Sequence, residues 1–60
     1  MTPNTFKTTR ERLGMSRAAF ARALGIAPNS ATAYELGRQR VPQVVALAAA
    51  ALLHGLDAVE

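Results

Sequence analysis

Apolar side chains recur along the first two thirds of the chain at helical spacings, and glycine and proline punctuate them at short intervals. Over residues 3–13, Phe6, Thr9, Arg10 and Leu13 fall on one face. Thr2 followed by Pro3 reads as a cap and a first helical residue, and Gly14 as the stop. Met15 packs down before Ser16 caps a second helix, on which Phe20, Ala21 and Leu24 lie together. Gly25 ends that helix, because glycine alone takes the left-handed backbone cheaply. Pro28 suits the first position of a third helix over residues 28–36, with Ala31, Tyr34 and Ala27 turned inward and Gly37 as its stop. Pro42 opens a fourth helix, which runs through Val44, Val45, Leu47, Ala48, Ala51 and Leu52 to about His54, where Gly55 stops it. Residues 56–60 read as a short helical turn or a frayed tail. With no strand-period segment, repeat or linker, the expected fold is all-α, a compact four- to five-helix bundle in one domain over residues 1–60.

Two of these elements stand in a special relation. Over residues 16–37, two short helices are joined by a tight turn with glycine in it, the pattern of a helix-turn-helix. The fourth helix, expected over about residues 42–54, is unusual in another way: residues 44–53 contain no polar side chain. One face must cover the first three helices. The other, assigned to Ala46, Ala49, Ala50 and Leu53, would lie in water unless a symmetric partner covers it. Dimerisation through this helix is therefore expected, small residues permitting close approach.

Composition sharpens the picture in three places. A chain of 60 residues buries only about 60% of its unfolded surface, so its core is marginal. Without cysteine and with one histidine, it has neither a disulfide nor a metal site to help, which leaves oligomerisation. Residues 44–53 are too short a run to span a bilayer, and the N-terminus lacks a signal-peptide core, so a cytoplasmic protein is expected. Charge is the third. The formal net charge is +3 and the isoelectric point about 10.7. All seven basic residues lie in residues 1–42 beside two acids, giving +5, while residues 43–60 hold only Asp57 and Glu60, giving −2. Positive charge gathered around the helix-turn-helix suits a polyanion.

The residues resemble a family at this point. Arg10, Leu13-Gly14-Met15-Ser16, Phe20-Ala21 and Leu24-Gly25-Ile26 carry the likeness, with Tyr34-Glu35-Leu36-Gly37-Arg38 and Pro42 before an apolar helix. Together they resemble the lambda-repressor-like, Cro/repressor-type (XRE) helix-turn-helix proteins over about residues 3–56. The resemblance implies that the third helix enters the DNA major groove. It implies base contacts from Pro28, Asn29 and Ala33, with Ser30 and Thr32 beside them. Of the three, Asn29 alone has hydrogen-bonding side-chain groups, and its amide suits adenine, while Thr32 and Ala33 suit a thymine methyl. Arg17 stands where the family usually has a glutamine that touches a DNA phosphate, and Arg38 and Arg40 would lie beside the phosphate backbone. Arg10 and Glu35 correspond to a partly buried ion pair joining the first and third helices. Ala27 stands where a serine or threonine usually caps the third helix, which forfeits roughly 1 kcal/mol. Tyr34 belongs to the core and His54 to a helix C-terminus.

Two functions follow. One is a sequence-specific regulator of double-stranded DNA, a homodimeric repressor on an inverted repeat that blocks a promoter by occupying it. Small proteins of this type resemble phage or mobile-element repressors, including the autoregulators of anti-CRISPR operons, and antitoxins that repress their own operon. The alternative is an antitoxin-like module whose apolar C-terminal helix binds a different protein. Catalysis is disfavoured: there is no cysteine nucleophile, one histidine, no phosphate-cradling glycine loop and four acids. No cofactor, metal or small-molecule ligand is expected, nor any membrane association.

Overall fold

Each of the first three helices begins and ends where a residue with one good conformation tells it to. In a computed structural model that describes the backbone of residues 1–57 and the side chains of residues 1–55, the order is α1 (Pro3–Arg12), α2 (Arg17–Leu24), α3 (Pro28–Leu36) and α4 (Gln43–Asp57). The Thr5 and Ala19 amides donate to Thr2 Oγ1 and Ser16 Oγ, both at 3.1 Å, so α1 and α2 are capped by hydroxyls. Ala27 has no such group, and α3 starts uncapped. Gly25 ends α2 with φ of 75°, and the Ile26 amide reaches back to the Ala21 carbonyl at 2.9 Å. The same bond recurs after Gly37, where the Arg38 amide donates to the Ala33 carbonyl at 2.9 Å.

The core is small and aromatic at its centre. Phe6 from α1 and Phe20 from α2 are fully buried, with ring centroids 5.0 Å apart, and Tyr34 from α3 meets Phe6 edge-on at 5.6 Å. Ala21, Ala31, Val41, Val45 and Ala49 close it, and Leu13, Met15, Leu24, Ile26, Ala46 and Leu52 pack around the edge. Thr9 is a buried polar residue, and its hydroxyl donates to the Thr5 carbonyl at 2.8 Å. No helix among the described residues is long and apolar enough to cross a membrane.

Three expectations need correction. Ala27 is exposed rather than turned inward, because as the residue before α3 it has extended backbone that points it away from the bundle. Gly55 does not stop α4. The helix continues through it to Asp57, since glycine permits a left-handed turn without requiring one, and here its φ is not positive. The tail at residues 58–60 lies outside the described residues.

The third correction concerns the faces of α4. Ala49 is 0% exposed and Ala46 packs on the core, while Ala50 and Leu53 are half-buried; the outward stripe is Val44 (77% exposed), Leu47 (62%) and Ala51. Val45 is buried in the first turn of α4, and Ala49 and Leu52 follow it inward at i+4 and i+7 while Val44, Leu47 and Ala51 face outward; Val41 is buried just before the helix.

Candidate nucleic-acid interface

Three helices are tied together at one carboxylate. Glu35 on α3 has its side chain only 1% exposed; its Oε2 accepts from Arg10 Nε on α1 at 2.8 Å. Its Oε1 accepts from Arg10 Nη2 at 3.4 Å and from Arg17 Nε, at the start of α2, at 3.3 Å. Arg10 Nη1 donates to the Met15 carbonyl at 2.8 Å, so all three nitrogens of this guanidinium have a partner inside the protein. The Arg10–Glu35 pairing is the one that the family resemblance implies. The engagement of Arg17 with the same carboxylate is an addition that the sequence did not signal.

Pinning Glu35 inward decides which way the rest of α3 faces. Ala31 and Tyr34 are buried beside it, so Asn29, Thr32 and Ala33, at i, i+3 and i+4, share the opposite face. Pro28 and Asn29 are exposed in the first turn, and Thr32 and Ala33 are half-buried. The Thr32 hydroxyl donates to the Pro28 carbonyl at 3.2 Å, which leaves it to act as an acceptor or through its methyl. Ser30 sits to one side, half-buried, toward the inner face. Leu36, at i+7 from Asn29, completes the outer stripe and is 54% exposed. The helical spacing could have revealed it, but as the last residue of a helix it reads more simply as a core leucine.

Basic groups are exposed on the helices and in the connection after α3. Arg38 and Arg40 are exposed in the connection after α3, Arg38 with its backbone fixed by the bond to Ala33. Arg17, 47% exposed, stands at the N-terminus of α2, and Lys7, Arg12 and Arg22 are exposed on α1 and α2. No pocket opens among the described residues, nor do three or more carboxylates and imidazoles gather there as a metal site would need. What the outer face of α3 offers is an amide and methyls, groups of the kind that meet base edges, with guanidinium charge elsewhere on the surface of the kind that meets phosphate.

No curated protein and no solved structure matches the chain. A family model described as a helix-turn-helix domain matches residues 4–60, nearly the whole length, and the chain belongs to that DNA-binding helix-turn-helix family.

Proposed function

We propose that the protein is a sequence-specific transcription regulator, a cytoplasmic homodimeric repressor that forms one domain over residues 1–60. Each subunit places α3 in the major groove of one half of an inverted repeat, with half-sites about one helical turn apart. The observation that carries this reading is the outer face of α3. Asn29 is exposed in the first turn with Thr32 and Ala33 beside it, while arginines lie before and after the helix. The Asn29 amide pairs with adenine N6 and N7, and the methyls of Thr32 and Ala33 meet a thymine methyl. Arg17, Arg38 and Arg40 hold phosphates, which sets register and supplies salt-dependent affinity without reading sequence. Bound at a promoter, the domain represses by excluding polymerase.

The dimer contact is assigned to the stripe of Val44, Leu47 and Ala51, where leucine and valine are exposed with no partner among the described residues. That stripe also supports the second reading, in which α4 docks on a different protein. Selection of bound duplexes from a random library at physiological salt separates the two. Enrichment of a palindrome supports the dimeric regulator. Folded protein that enriches no sequence contradicts it and turns attention to a protein partner for α4.

A further inference from the structure

The shared carboxylate has a role beyond stability. We propose that Glu35 is a positioning residue for DNA: its Oε1 holds Nε of Arg17 so that the far edge of that guanidinium is presented to one backbone phosphate at the start of α2. This rests on the DNA-binding reading above and adds to it a reason why arginine, rather than another polar residue, occupies position 17.

Charge is the first argument. One carboxylate faces two guanidiniums, so the Arg10–Glu35–Arg17 cluster carries a net +1, and Arg10 takes the shorter contact, 2.8 Å against 3.3 Å for Arg17. Arg10 is mostly buried, with 15% of its side chain exposed, whereas Arg17 is 47% exposed; the uncompensated charge is therefore at the surface, on Arg17. One phosphate would neutralise it.

Geometry is the second. A guanidinium has two edges that can grip an oxyanion, Nε with one Nη and the two Nη together. Glu35 engages Arg17 through Nε, and neither Nη has a hydrogen-bond partner among the described residues. The Nη edge is left for a second anion. Holding Nε also restricts a long side chain before binding, which lowers the entropy lost when the phosphate contact forms.

Position is the third. Arg17 is the first residue of α2 and has no acidic residue in the turn with it. A cation at a helix N-terminus opposes the helix dipole, and the same dipole attracts an anion. Glu35 offsets part of that conflict and a phosphate the rest.

The test is duplex binding over a series of salt concentrations, with the site selected by the wild-type protein. Arg17→Gln, which removes the charge but keeps a neutral amide donor, should weaken binding about fivefold to tenfold, the margin of a charge-assisted bond over a neutral one. It should also flatten the slope of log affinity against log salt by about 0.9. Arg17→Lys keeps the charge, but one ammonium cannot serve carboxylate and phosphate through two separate edges, so it should lose most of the same affinity. Wild-type affinity for Arg17→Lys would overturn the proposal. The role of Glu35 is read in a background of Arg10→Met with Glu35→Leu, which removes both buried charges and is checked for helix content by circular dichroism. There, Arg17→Gln should cost less than about threefold, because Arg17 is no longer held; an undiminished loss contradicts the positioning role. If that background does not fold, Arg17→Lys decides alone. Wild-type protein that binds no duplex with salt dependence overturns the functional reading and this inference together. Salt-dependent binding with a slope unchanged in Arg17→Gln overturns the inference only.

Discussion

The three helices before Gly37 and the single helix after Pro42 are built on opposite plans. In the first region, α1 and α2 have hydroxyl caps, α2 and α3 end in left-handed glycines, and one buried carboxylate ties all three helices together. In the second, α4 carries no polar residue over residues 44–53, runs through its glycine, and leaves valine and leucine in water. The first region has its orientation fixed by specific groups, so α3 can show only one face to a ligand. The second is oriented by packing alone, chiefly by Val41 and Val45, and its free face is available to a partner.

The most disruptive way to break this contrast is to remove the aromatic centre. Phe20→Ala should cost about 3–5 kcal/mol. Against a total of roughly 3–9 kcal/mol for a chain this short, it should largely unfold the protein, seen as loss of the far-ultraviolet helical signal. Next is Ala49→Leu, which places a larger side chain in the core and should destabilise by about 1–3 kcal/mol in urea unfolding. Were Ala49 on the outward face, the same change would be nearly neutral.

The two glycines that look alike in sequence sharpen the comparison further. Gly25→Ala forces a left-handed backbone on alanine and should lower stability by about 1–2 kcal/mol, although an added Cβ would meet nothing within 4 Å. Gly55→Ala, inside a helix with open space around it, should raise stability by about 0.5–1 kcal/mol. Melting curves of both variants measure the difference in sign. Smallest in its effect on the subunit is Leu47→Ser, which should change the stability of dilute protein by less than about 0.5 kcal/mol. It should at the same time abolish the proposed dimer in sedimentation at high concentration. A loss of stability without a change in mass would show that Leu47 packs within its own chain.

Where a residue type has one preferred use, the sequence is easy to read. Thr2, Ser16, Gly25, Pro28 and Gly37 mark boundaries because hydroxyl caps, left-handed turns and fixed φ are local properties. Phe6, Phe20, Ala31 and Tyr34 are legible as core because α1 to α3 alternate apolar and polar positions. The faces of α4 are not, because a helix apolar all round has no internal contrast, and the rotation shows only in the burial of Val45 within the run and of Val41 before it. Gly55 misleads for a related reason: permission to leave the helix is local, but leaving it depends on what the following residues can pack against. On the interface, Asn29 is readable as the one amide of the first turn. The sharing of Glu35 between Arg10 and Arg17 is not, since it depends on three helices converging on one point.

The central claim is that the outer face of α3 reads bases through Asn29 while the arginines only hold phosphate. Its most direct test is to repeat the duplex selection with Asn29→Ala beside wild-type protein. Both should enrich the same palindrome, except that Asn29→Ala loses its preference at one base pair in each half-site, a discrimination of roughly 1–3 kcal/mol. Recovery of an identical site with undiminished preference at every position would contradict it.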